Sequence, residues 1–173
     1  MPKDSQAWNC YGRRTSDYLL VNYGFCFPDN LYDSYVFHLK LDVNTETDGN
    51  ISVSSFVVSP VPTDIEATKT LQEVRLKRKQ LNFVLISYLR STYKNQYFRE
   101  LSAPSQIFIT KPAHLGLELF CLKKYSDVLQ MLFDRLEKQS TVSVDEKLLK
   151  SDISDNCKMA VVYRLEKKKI LLD

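Results

Sequence analysis

At 173 residues the chain is long enough for one domain or one and a fraction. Its hydrophobic share of 44% and aromatic share of 12% suit a packed core and exclude wholesale disorder. A net charge of +3, from 24 basic and 21 acidic residues, is too even to argue for nucleic acid or an anionic membrane surface as partner.

The stretch from Asn9 to Phe27 carries two Tyr-Gly pairs, Tyr11-Gly12 and Tyr23-Gly24. Between them lies a segment that reads as a cap and one or two helical turns. Thr15 or Ser16 can cap it, and Tyr18, Leu19 and Val21 can supply its apolar contacts. Each glycine permits positive φ or close backbone approach beside a ring, so the two phenols are aimed at one place. A loop follows over Pro28–Asp33. Next, Tyr35, Phe37, Leu39 and Leu41 alternate with His38 and Lys40, the pattern of a half-buried strand. Asn44–Asn50 reads as a polar turn. Ile51–Val58 is a second strand or the start of irregular structure, stopped by Pro60 and Pro62.

From Ala67 the period becomes helical. Leu81, Val84, Leu85, Tyr88 and Leu89 share one face of a long helix, and Arg75–Lys79 is expected to lie at its start as a solvated basic face. Pro104 and Pro112 punctuate the next loop. A second stripe runs through Leu115, Leu119, Leu122, Leu129, Leu132, Phe133 and Leu136. Ser143-Val-Asp-Glu146 reads as a capping box, and Ser154 as the cap of a last helix bearing Cys157, Val161, Leu165 and Leu172. Lys167-Lys168-Lys169 near that helix end is explained by the helix dipole. Cys10, Cys26, Cys121 and Cys157 are too scattered for a zinc site and read as small buried apolar groups; His38 and His114 are isolated. A polar start without a signal peptide, no membrane-length apolar run and reduced thiols lead us to expect a cytoplasmic or nuclear protein.

The first block resembles the closing part of a SET methyltransferase domain, in the class of the Rubisco large-subunit lysine methyltransferase. The matching residues are Tyr11-Gly12-Arg13-Arg14-Thr15-Ser16, Leu19-Leu20, Tyr23-Gly24-Phe25 and Pro28-Asp29-Asn30-Leu31-Tyr32-Asp33. The later region resembles the helical substrate-binding domain of the same class. There the matching residues are Tyr88-Leu89-Arg90, Leu132 to Leu136, Ser140-Thr141 with Asp145 to Leu149, and Tyr163-Arg164-Leu165-Glu166-Lys167-Lys168 with Ile170-Leu171. The resemblance implies an α+β fold. Residues 1–62 would be a β-rich C-terminal remnant of SET, ending between Val43 and Pro62, and residues 63–173 an all-α substrate-binding domain. It also implies that Tyr23 is the catalytic tyrosine, that Tyr11 lines the lysine channel, and that Tyr23, Gly24 and Phe25 lie near S-adenosylmethionine. A histidine-methylating relative departs from tyrosine at the position of Tyr23, so its presence here leans towards lysine.

The chemistry explains the residue types. A lysine amine, with a pKa near ~10.4, must reach the methyl donor uncharged. A tight aromatic channel with tyrosine hydroxyls desolvates and aims it. The sequence departs from the class in one respect. None of Gly12, Gly24, Gly49 and Gly116 forms a Gly-x-Gly, and neither histidine follows an asparagine, so both cofactor-binding segments are missing. The chain is therefore expected to be inactive alone and not to bind S-adenosylmethionine alone.

The expected role is the C-terminal part of a lysine methyltransferase, docking a lysine-containing protein substrate and meeting the missing SET half or another chain. Neither nucleic acid nor membrane is an expected partner. The alternative is a non-catalytic interaction module derived from such an enzyme. Binding of nucleic acid through Arg75–Lys79 with Phe83 and Tyr88 ranks third, because the net charge opposes it. A shortened SET sheet would also leave strand edges unpaired before Pro60, or pair them with another chain.

Overall fold

The computed structural model describes residues 10–45, 51–59, 71–97, 111–112 and 114–173. Along these the chain runs α1 (Ser16–Tyr23), β1 (Tyr35–Thr45), β2 (Ile51–Ser59), β3 (Leu71–Leu76), α2 (Phe83–Tyr97), α3 (Leu115–Glu137), α4 (Val142–Leu149) and α5 (Asp155–Leu172). The fold is mixed α+β. Residues 46–50, within the expected polar turn, lie outside the described residues, as do Pro60, Pro62, Ala67 and Pro104, and the side chain of Leu41.

β1 forms where the alternation predicts it. Phe37 and Leu39 are buried on one face, and His38 is half-buried on the other. β1 is the middle strand of an antiparallel sheet of order β2-β1-β3, with a register shift between Asp42 and Val43. Phe37 stands opposite Val74, and Tyr35 opposite Leu76.

β1 pairs with β3 over Tyr35–Lys40 and with β2 over His38–Thr45, so the sheet edge before Pro60 falls on β2 and not on β1. This arrangement corrects two expectations. The region after residue 62 is not all-α, because it supplies β3. Arg75–Lys79 lies on the end of that strand and on a turn, not on a helix. The cause is tertiary. Leu71-Gln-Glu-Val-Arg-Leu76 is rich in helix formers, but pairing with β1 and burial of Val74 and Leu76 override that propensity.

Asn82 starts α2. Its Oδ1 accepts from Leu85 N–H at 2.8 Å, its Nδ2 donates to the Arg75 carbonyl at 2.8 Å, and its own N–H donates to the Tyr125 hydroxyl of α3 at 3.1 Å. Leu85, Tyr88 and Leu89 are buried as predicted, whereas Leu81 precedes the helix and is exposed. In α3 the expected stripe holds in the second half, where Leu132 is buried and Leu129, Phe133 and Leu136 pack against the core, and fails in the first. Leu117, Cys121, Tyr125, Val128 and Leu132 face the core, whereas Leu115, Leu119 and Leu122 face solvent. Packing against α2 and α5 turns Leu117, Cys121 and Tyr125 inward over the first half, and the buried stripe meets the expected one at Leu132.

Thr141, not Ser143, caps α4, accepting from Val144 N–H at 3.3 Å. Ser154 caps α5 as predicted, through Cys157 N–H. Val161 and Leu165 are buried, but Cys157 and Leu172 are exposed. One core joins Phe37 and Leu39 of the sheet to Leu85, Leu117, Leu132 and Ile170 of the helices, so sheet and helices share it.

Candidate functional site

Both Tyr-Gly pairs adopt the backbone that glycine permits. Gly12 and Gly24 each have φ of 74°, and Gly24 closes α1 by donating to the Leu20 carbonyl at 3.0 Å. At the other end Thr15 Oγ1 accepts from Tyr18 N–H at 3.3 Å, so Thr15 is the cap. With α1 held to two turns, the expected residues converge. The Tyr11 ring centroid lies 4.7 Å from that of Tyr23 and 5.4 Å from that of Phe25, and Tyr23 and Phe25 are 6.3 Å apart. Such ring pairs are worth about 0.5–1.5 kcal/mol beyond area burial.

Tyr18, expected only as an apolar contact, joins the group at 6.1 Å from Tyr23, with the Arg14 guanidinium 4.7 Å above its ring. The Tyr18 phenol beside Tyr23 raises the Tyr23 hydroxyl above the usual tyrosine range. Tyr23 therefore stays a neutral phenol at physiological pH and can donate a hydrogen bond. The rings form an open face, with Tyr11 42% and Tyr23 48% exposed.

Beneath the face lies a polar cluster that fixes it. Asn30, buried in the loop after Phe27, donates to the Arg14 carbonyl at 3.0 Å and to Ser16 Oγ at 3.3 Å. Asp33 Oδ1 accepts from Ser16 N–H at 2.9 Å. Lys167 of α5 completes the cluster. Its Nζ donates to Asp33 Oδ1 at 2.9 Å, to Asp17 Oδ2 at 2.5 Å and to the Ser34 carbonyl at 2.8 Å. The Tyr163 hydroxyl donates to Asp17 Oδ1 at 2.5 Å. Burial alone would raise the Asp17 carboxyl, but the bonds from Lys167 and Tyr163 outweigh it and hold it below the usual range. Burial, then the Asp17 bond, pushes the Tyr163 phenol up.

Two further clusters surround the same helix end. Glu166 accepts from Asp29 N–H at 2.8 Å and from Arg78 at 2.7 Å, and Arg78 also reaches Asp29 at 2.9 Å. Asp145 of α4 is fully buried and takes Lys168 at 2.9 Å together with Arg164 and Ser140. Burial opposes its ionisation, yet those three partners bring its carboxyl down to about 2.

The sequence reading missed these lysines, which are not surface complements of a helix dipole. A signal was present. Lys168 falls three residues after Leu165 and seven after Val161, on the buried stripe, so a charge there needs a buried partner.

The resemblance implies S-adenosylmethionine beside Tyr23, Gly24 and Phe25. At Gly24 a Cβ would meet nothing within 4 Å, and the rings beside it stand open to solvent. These residues offer a wall, not an enclosure, and do not by themselves fit a polar, charged cofactor. No protein-family model matches the chain, and no curated protein matches it. Among the described residues no group of three or more His, Cys, Asp or Glu is placed to hold a metal ion, and no helix is long and apolar enough to cross a membrane.

Proposed function

We propose that this chain is the C-terminal part of a protein-lysine methyltransferase of the SET type. In this role Tyr23 is the catalytic tyrosine, Tyr11 lines the lysine channel, Phe25 stands on the cofactor side, and the helices dock the protein substrate. The observation that supports it is the convergence of the two tyrosines, 4.7 Å apart, through glycines that both hold φ of 74°. Tyr23 as a neutral phenol orients an amine by donating or accepting one hydrogen bond. The rings exclude water from one side of it and favour its uncharged form. S-adenosylmethionine supplies the methyl group in the complete enzyme, and its pocket comes from the other SET half.

The test is twofold. The reading frame upstream of Met1 should carry the Gly-x-Gly and Asn-His segments, and its full product should methylate lysine. Tyr23→Phe should then slow transfer by about 10²-fold, the usual scale for losing one placed donor. An upstream frame without those segments, or transfer indifferent to Tyr23→Phe, would refute it.

The openness of the face favours a second reading, a non-catalytic protein-interaction module built on the same fold. That reading predicts partner binding unchanged by Tyr23→Phe and no lysine methylation by the full product of the reading frame.

A further inference from the structure

Between β3 and α2 the chain makes a tight turn in which Lys77 bridges Gln80 and Lys79 holds a left-handed backbone with φ of 54°. A non-glycine residue there costs about 1 kcal/mol and needs support. Arg78 supplies it by tying the turn to Asp29, itself left-handed at φ of 57°, and to Glu166.

The turn is a ridge between two clefts. One, of about 700 Å³, is walled by Arg13, Tyr32, Lys77 and Lys79. The other, of about 470 Å³, is walled by Leu81, Leu122, Leu129 and Ile170, with the same two lysines at its edge. Both volumes fall within the range of about 300–1,000 Å³ typical of ligand clefts.

The charges on the ridge divide into two groups. Arg75 pairs with Glu73 at 2.6 Å, and Arg78 is committed to Asp29 and Glu166. Arg13, Lys77 and Lys79 have no carboxylate partner among the described residues; the Arg13 guanidinium lies 5.7 Å over the Tyr32 ring. Of the acidic residues bordering the clefts, Asp33 is turned to Lys167, and Asp173 lies 3.8 Å from Arg78. Among the described residues, three cations without a carboxylate partner thus line the clefts. Beside them Leu81 is 53% and Leu122 44% exposed, and the unused stripe of α3 continues to Leu119 and Leu115.

We propose that this double cleft docks an acidic, aliphatic segment of a partner protein. Leucine-type side chains enter between Leu81, Leu122 and Leu129, and carboxylates meet Arg13, Lys77 and Lys79. The aliphatic lining favours a peptide over nucleic acid, because single-stranded nucleic acid takes its affinity from aromatic stacking platforms along a basic groove. The near-neutral whole-chain charge points the same way. Docking here does not depend on methyl transfer at the tyrosine face.

A displayed library of random dodecapeptides tests it, selected on the chain and counter-selected on the double variant Lys77→Gln, Lys79→Asn. Asparagine tolerates the left-handed backbone, so the second change removes charge without new strain. Enriched peptides should combine Asp or Glu with Leu, Ile or Met. A synthetic copy of the leading peptide, followed by fluorescence anisotropy, should bind about tenfold more weakly to the double variant. Leu122→Ser, on an exposed helix position, should weaken it roughly tenfold as well, with the circular dichroism spectrum unchanged. Failure to enrich any peptide, or enrichment of basic or wholly polar ones, would overturn the proposal. Tight binding of oligouridylate that survives Leu122→Ser would also overturn it and assign the cations to nucleic acid.

Discussion

Gly24 at φ of 74° with open space around it isolates the backbone contribution. Gly24→Ala is expected to cost about 1 kcal/mol in chemical denaturation; an unchanged midpoint would contradict the left-handed cap. The cysteines were legible only in part, because a small side chain fits core and surface alike. Cys26 and Cys121 are buried, and Cys10 and Cys157 are exposed. Burial, then the nearby Glu118, pushes the Cys121 thiol up to about 11. In the native chain, Cys10 and Cys157 should react fast with a thiol reagent, and Cys26 and Cys121 only after denaturation. Fast native modification of Cys121 would contradict the packing of α3.

Helix α5 organises the other elements. Its Lys167 holds the α1 segment and the loop before β1, its Glu166 holds Arg78 after β3, and its Lys168 holds α4 through Asp145 and α3 through Glu137. Lys167→Met leaves Asp33 buried without its cation, and stability should fall by about 3–5 kcal/mol. The near-ultraviolet signal of the tyrosine face should fall with it. A loss below about 1 kcal/mol, the value of an exposed pair, would contradict the buried cluster.

Asp145 gives a pH dependence of definite sign. Its folded pKa of about 2 lies below the unfolded value near ~3.9. Its stabilisation is therefore full above about pH 4 and is lost as pH falls towards about 2, amounting to roughly 2 kcal/mol. Denaturation midpoints followed across that range should fall for the native chain and much less for Asp145→Asn; parallel curves would refute the assignment. Helix periods in the sequence revealed α2, α3 and α5, and a capping pattern revealed α4, but neither revealed β3, whose residues favour helix until β1 is there to pair with. Nor did they reveal that Leu117, Cys121 and Tyr125, rather than Leu115, Leu119 and Leu122, are buried in the first half of α3, since that depends on its neighbours.

Across the described residues, a core joins β1 and β3 to α2, α3 and α5, and the aromatic face stands at the surface on the glycine turns. The ring convergence was legible from residue order. The polar cluster beneath it was not, because Asp17, Asp33 and Lys167 are far apart in sequence and meet only through the fold. In the proposed role a lysine side chain enters against Tyr11 and Tyr23, beside Phe25. Ring resonances of these residues, followed by nuclear magnetic resonance, test it directly as a lysine peptide is titrated into the chain. The expected result is that they shift together, and reversibly, with the lysine peptide and stay still with the norleucine peptide, which lacks the amine. Equal shifts with both peptides, or no shift with either, would contradict it.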